Sequence, residues 1–119
     1  MLKVYDHLED LKLSELLYNA INNRCNFYAS DLMDALDIDD INEFENVILT
    51  AERACMALDI PVKHNFRIVY RYDENGLFKD WEMSQLACYL VSINGDPGNP
   101  KIAKAQLHFA YNLKKEINT

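Results

Sequence analysis

The sequence predicts a mostly helical α+β fold, in which four or five helices pack against a small antiparallel β-hairpin. Two strong helical patterns, at 41–58 and 84–93, and a hairpin signal at Asn75-Gly76 are the basis of this prediction. The length of 119 residues fits one domain, 1–119, and a hydrophobic content of 50% is ordinary for a globular protein.

Two of these helices are expected before residue 37, one after the capping residue Ser14 and a short one from Ser30 to Leu36, and the segment 37–40 then turns the chain. The apolar residues within 1–11 also have the spacing of a short leading helix. The apolar positions of the leading helix and of the helix after Ser14 are Val4, Leu8, Leu11, Leu16, Leu17, Ala20 and Ile21.

The clearest helix in the sequence begins after Asp40, which has capping-box spacing to Glu43. Pro61 prevents its continuation, because proline lacks the amide hydrogen that a helix interior needs. Its inward stripe is predicted to be Ile41, Phe44, Ile48, Ala51, Cys55 and Leu58, whereas Glu43, Asn46, Thr50 and Arg53 face outward.

The hairpin prediction rests on Asn75-Gly76, the pair that a type I′ turn prefers because both positions need positive φ. With these two residues as the loop, Glu74 lies opposite Leu77, and Arg71 lies opposite Asp80 in a favourable charge pair. One face of the hairpin is then apolar and packs on helices: Ile68, Tyr70, Trp81 and Met83.

Two further helices follow the hairpin. Ser84 is predicted to cap a buried helix that ends at Asn94, with Gly95 in a left-handed C-terminal position. Asn99-Pro100 is predicted to start the last helix, because proline suits the first helical position. The inner face of the last helix is expected to be Ile102, Ala105, Phe109, Leu113 and Ile117.

The second half of the chain also carries specific motifs. Ala-Cys-Tyr-Leu at 87–90, Asn-Gly-Asp-Pro at 94–97 and the Ile-Ala-x-Ala-Gln pattern from 102 resemble the bacterial DNA-damage-inducible protein D family. Weaker matches to that family lie at 27–32 and 51–55, so that the resemblance covers about 27–116. Two arginines of the family pattern are replaced by Ser30 and Gln85.

The resemblance implies a cytoplasmic protein of the DNA-damage (SOS) response that binds another protein, either a recombinase filament or a repressor. It implies no catalytic activity, and members of the family carry a further C-terminal half. The chain is also distantly similar to the N-terminal domains of phage antirepressors. That similarity implies a DNA-binding regulator with a helix-turn-helix-like segment at 30–58 as the alternative function.

Charge bears on the choice between these functions. The net charge of −7 is unfavourable for contact with phosphates, and seven acidic residues lie within 31–45 with no lysine or arginine among them. Such a run is either a solvated helix face or a docking surface for a basic partner. The residues predicted to bind a partner are Asp39, Asp40, Glu43, Tyr89, Asn94, Asp96, Gln106 and Tyr111. If DNA is bound, the expected contacts are Arg67, Arg71, Lys101 and Lys104.

Enzymatic and metal sites find little support in the sequence. The three histidines and three cysteines have no short ligand spacing, and no nucleophile motif or glycine-rich phosphate loop is present. We therefore expect no enzyme activity, cofactor or metal, with a magnesium nuclease using the acidic cluster as the remaining enzymatic hypothesis. Cys55 and Cys88 are expected to be reduced and buried, as in a cytoplasmic protein.

Overall fold

The computed structural model describes the backbone of residues 25–117 and the side chains of residues 27–111. The two helices predicted before residue 25 lie outside the described residues. The elements, in chain order, are β1 (Cys25–Tyr28), α1 (Ala29–Ala35), α2 (Ile41–Ala57), α3 (Val62–Asn65), β2 (Phe66–Asp73), β3 (Gly76–Ser84), α4 (Gln85–Ile93) and α5 (Pro100–Ile117). This is the predicted mostly helical α+β architecture. None of the helices within 25–117 has the length and apolarity needed to cross a membrane.

The sheet has three antiparallel strands in the order β1-β3-β2. The sequence predicted the hairpin of β2 and β3 but missed β1, because its four residues are too few for an alternating pattern. Phe27 lies opposite Met83, and Tyr28 lies opposite Glu82. β3 is therefore the central strand, and the outer edge of β2 pairs with no other strand in residues 25–117.

The predicted register of the hairpin was wrong by two residues. Asp73 lies opposite Gly76, so the loop is Glu74-Asn75, and Arg71 lies opposite Phe78. The side chain of Asp73 accepts a hydrogen bond from the Asn75 amide at 2.8 Å, which favours this loop. Positive φ occurs at Gly76 (109°) and not at Asn75, so the turn is not type I′.

A two-residue shift keeps every side chain on its predicted face of the sheet but moves it along the strand. Trp81 and Met83 are buried as predicted, whereas Ile68 and Tyr70 are exposed. The helices thus pack only on the base of the hairpin, where Phe66 is also buried.

α2 and α4 pack against each other and form the centre of the core. Phe44, Ile48, Ala51 and Cys55 are buried as predicted, but Ile41 and Leu58, at or just beyond the ends of α2, are exposed. Cys88 of α4 is likewise buried.

Ser84 caps α4 as predicted. Its hydroxyl oxygen accepts a hydrogen bond from the Ala87 amide at 3.0 Å and donates one to the side-chain oxygen of Asn65 at 2.6 Å. Asn65 belongs to the short helix α3, which the sequence did not predict, and it is fully buried. The cap therefore also joins α3 to the start of α4.

The turn between α4 and α5 brings these helices together. Gly95 does not have positive φ, so its predicted left-handed conformation was wrong. It is buried instead, and a Cβ atom at this position would lie 3.0 Å from side-chain carbons of Ile102. Glycine is needed there because α5 packs closely against the turn. α5 begins at Pro100 as predicted, and Ile102, Ala105 and Phe109 are buried.

Candidate functional site

Three of the predicted partner-binding residues lie in one groove. The groove has a volume of about 410 Å³ and runs between α2 and the turn after α4. It is lined by Glu43, Asn46, Val47, Thr50, Asn94, Gly95, Asp96 and Pro97. Glu43 and Asp96 are more than fifty positions apart in the sequence, so only the packing of α2 beside α4 brings them together.

The turn that forms one wall of the groove is held by side-chain hydrogen bonds. Asn94 donates to the Leu90 carbonyl at 2.7 Å, and Asp96 accepts from the Gly98 amide at 2.9 Å. Gln106, on α5, donates from its amide nitrogen to the carbonyls of Ser92, Ile93 and Gly95 at 3.3, 3.2 and 3.0 Å. These bonds run from α5 to the end of α4 and the turn after it, so Gln106 holds the turn from the side of α5.

Asp39 and Asp40 are exposed just before α2. Asp40 caps the helix by accepting a hydrogen bond from the Asn42 amide at 2.9 Å. Residues 37–40, which precede α2, are called the acidic loop. Asn99, just before α5, donates to the Leu36 carbonyl at 2.8 Å, and this bond holds the start of the acidic loop beside the turn that precedes α5. The acidic loop and the groove therefore belong to one connected surface.

The lining of the groove is negatively charged. Glu43 and Asp96 supply two carboxylates, and the eight lining residues include no lysine or arginine. Asn46, Thr50 and Asn94 add amide and hydroxyl groups that can donate or accept hydrogen bonds. Val47 contributes apolar surface.

Sequence reasoning did not assign Asn46, Val47 and Thr50 to the site. The signal that could have found them is their spacing, because positions 43, 46, 47 and 50 follow the i, i+3, i+4, i+7 pattern of one helix face. The sequence indicated that most of this face points outward, but it could not show which turn lies beside it.

The two predicted tyrosines do not line this groove. Tyr89 is not an exposed anchor, because it is half-buried and packs edge-on against Phe109 with ring centroids 4.8 Å apart. Burial raises the pKa of its hydroxyl. Tyr111 is exposed, but it lies with Lys104, Leu107 and His108 beside a separate cavity of about 370 Å³ on α5.

Three of the four cations predicted to contact DNA already face carboxylates. Arg67 pairs with Glu82, Arg71 with Asp80 at 3.0 Å, and Lys101 with Asp37 at 3.6 Å. The fourth, Lys104, lies beside the cavity on α5. α1 and α2 are the two helices that the helix-turn-helix hypothesis requires, and the first turn of α2 carries Glu43 rather than a cation.

The acidic residues do not converge as metal ligands do. Within the part of the chain that the structure describes, no three histidine, cysteine, aspartate or glutamate side chains are grouped closely enough to hold a metal ion.

Comparison with known proteins gives one relationship. The chain is 30% identical over 93 residues to DNA damage-inducible protein D of Escherichia coli K12, in an alignment that covers 74% of this chain. The chain spans about a third (34%) of the length of that relative. No known family profile and no solved structure matches the chain.

Proposed function

The chain is related to the DNA damage-inducible protein D family, and on that premise we propose that it acts in the DNA-damage (SOS) response by binding another protein, without catalysing a reaction. The partner that we propose presents a positively charged surface, as a recombinase filament or a repressor would. The observation on which this rests is the groove beside α2, with Glu43 and Asp96 in its walls and no cation in its lining.

The groove suits an arginine or lysine side chain from a partner. The aliphatic stem of such a side chain would lie on Val47, and its charged end would reach Glu43 or Asp96. Hydrogen bonds between a guanidinium and a carboxylate are stronger than those between neutral groups, and a planar fork adds directional selectivity.

The acidic loop extends this recognition beyond the groove. Asp39 and Asp40 are exposed just before α2, the helix that forms one wall of the groove, and supply negative charge without lining the groove. Charges at the rim of an interface mainly speed association and select partners. We therefore assign the groove to affinity and the acidic loop to steering.

The experiment is a direct binding titration of a purified bacterial recombinase, assembled on single-stranded DNA, with the wild-type chain and with Glu43→Lys. We expect Glu43→Lys to weaken binding about tenfold at low salt, because the substitution reverses one charge at the contact. Glu74→Lys in the hairpin loop makes the same change of net charge at a residue that does not line the groove, and it is expected to bind as the wild type does. Equal loss in both variants would show that only net charge matters and would contradict the assignment to the groove.

Two conservative variants separate charge from structure. Asp96→Asn can still accept the hydrogen bond from the Gly98 amide while it removes the negative charge, and Asp39→Asn changes the acidic loop without touching the cap of α2. We expect Asp96→Asn to raise the dissociation rate and Asp39→Asn to lower the association rate.

Direct DNA binding is tested with the same protein. Duplex and single-stranded oligonucleotides are titrated at increasing salt, since phosphate contacts give a steep fall in affinity with salt. We expect no measurable binding of the free chain even at low salt. Tight, salt-sensitive binding that is lost in Lys104→Glu would replace the protein-binding proposal by the DNA-binding one.

A further inference from the structure

The distal half of the hairpin presents an exposed apolar face. Ile68, Tyr70 and Tyr72 alternate along β2 on the same face, with exposed fractions of 53%, 67% and 81%. Leu77, opposite Tyr72 on β3, is also largely exposed. Contiguous exposed apolar side chains on a monomer mark a surface that contacts another molecule.

The same strand is the edge of the sheet. β2 is eight residues long, and its outer edge pairs with no strand among residues 25–117. It contains no proline, and its one acidic residue, Asp73, lies at the end. A long edge strand of this kind is a template for pairing with a further strand.

Among the antiparallel registers with a two-fold axis at one residue, the axis at Tyr70 pairs the longest stretch of β2 without placing like charges opposite each other. A two-fold axis at Tyr70 places Arg67 opposite Asp73 of the second copy and Ile68 opposite Tyr72 of the second copy. A two-fold axis at Val69 would place Arg67 opposite Arg71 of the second copy. An axis at Arg71 would place the two Arg71 side chains opposite each other. Like charges directly opposite each other destabilise a strand pair, and opposite charges stabilise it.

The existing contacts of Arg67 agree with this register. Arg67 lies opposite Glu82 of β3 and pairs with it, and its side chain is 61% exposed. In the register centred on Tyr70, Arg67 would lie between Glu82 on its own β3 strand and Asp73 on the β2 strand of the second copy. An isologous contact of this kind closes after two copies.

We propose that two copies of this chain pair through their β2 edges in the register centred on Tyr70, which joins two three-stranded sheets into one of six strands. The apolar faces of the two hairpins then form one continuous surface. The contact is independent of the groove beside α2, so both copies keep that groove accessible.

The first test is the mass of the full chain in solution, measured by sedimentation equilibrium over a range of concentrations. We expect a dimer for the wild type and a monomer for Tyr70→Lys, because two lysines would face each other at the two-fold axis. Tyr111→Lys, at an exposed tyrosine on α5, is the matched control and is expected to remain a dimer. A wild-type monomer up to the solubility limit, or a Tyr70→Lys dimer, would overturn the proposal.

Cysteine cross-linking tests the register and does not depend on the lysine variant. In Tyr70→Cys, the two new thiols lie opposite each other at a distance that a disulfide can span, so oxidation is expected to give a covalent dimer. In Ile68→Cys the new thiol lies opposite Tyr72, four residues from its own counterpart, and no cross-link is expected. Efficient cross-linking of Ile68→Cys with none of Tyr70→Cys would refute this register.

Discussion

The guanidinium of Arg71 lies 3.0 Å from the carboxylate of Asp80, although the two residues are not opposite each other in the sheet. Asp80 is buried opposite Val69, and Arg71 reaches it diagonally from the neighbouring pair on the same face. The Asp80 carboxylate also accepts hydrogen bonds from the amide and hydroxyl of Ser30, at 3.0 and 2.6 Å, and from the backbone amide of Trp81 at 2.8 Å. The hydrogen bond to Asp80 raises the pKa of Arg71, so this partner stays charged.

Arg71→Ala is expected to destabilise the protein by about 2–4 kcal/mol, because it leaves the buried Asp80 carboxylate without its counter-charge. The measurement is urea unfolding, at one fixed protein concentration so that any association is held constant. Arg67→Ala removes a more exposed ion pair with Glu82 and is the control, with an expected loss below about 1 kcal/mol. Equal losses in the two variants would mean that burial of Asp80 does not matter.

The same network allows a rescue experiment at position 30. The family pattern that this chain resembles has arginine there, whereas the Ser30 hydroxyl here lies 2.6 Å from Asp80. The side chain of an arginine at position 30 would lie next to the Asp80 carboxylate. We therefore expect Ser30→Arg to recover part of the unfolding free energy that Arg71→Ala loses, and to recover nothing when Asp80 is also changed to alanine.

Gln106→Met is expected to lower the free energy of unfolding by about 1–2 kcal/mol, because it removes the donor that serves three carbonyls of the turn. Methionine keeps the length of the side chain. Faster amide hydrogen exchange at 94–98, with little change in α2, would locate the effect. Lys104→Met, at an exposed position on the same helix, is the control. Unchanged exchange in the turn would show that Gln106 does not hold it.

Gly95→Ala is expected to destabilise by about 1–3 kcal/mol, because its Cβ would lie 3.0 Å from Ile102. Thermal unfolding measures the loss. Ile102→Val removes one of the crowding methyl groups, so the double variant is expected to lose less than the sum of the two single losses. Additive losses would contradict contact with Ile102 as the cause.

Glu52→Gln is expected to stabilise the protein at pH 7. Burial raises the pKa of Glu52 above 4.5, and Lys79 offsets part of this shift. Because the pKa of Glu52 is higher in the folded than in the unfolded protein, protonation of Glu52 favours the folded state. This contribution is fully present at a pH below the unfolded-state pKa and is lost as the pH rises through the folded-state pKa. The urea midpoint of the variant should therefore exceed that of the wild type at pH 7 and equal it well below pH 4.5. A constant difference at both pH values would contradict this linkage.

Local structure could be predicted from the sequence. The buried centre of the α2 stripe, the cap at Ser84 and the proline at the start of α5 were all predicted, because spacing and capping depend on residues within a few turns. Among the polar residues that line the groove, Asn94 and Asp96 were predicted from their turn and Glu43 from the acidic run, whereas Asn46 and Thr50 were not assigned.

Which of these residues meet depends on the tertiary structure. The register of the hairpin was visible only in the paired strands, where Asp73 lies opposite Gly76. The distance between Glu43 and Asp96 and the role of Gly95 depend on how α2 and α5 pack around α4. Periodicity indicates which face of an element points inward, but contacts between distant elements depend on side-chain volume and burial, which no local pattern contains.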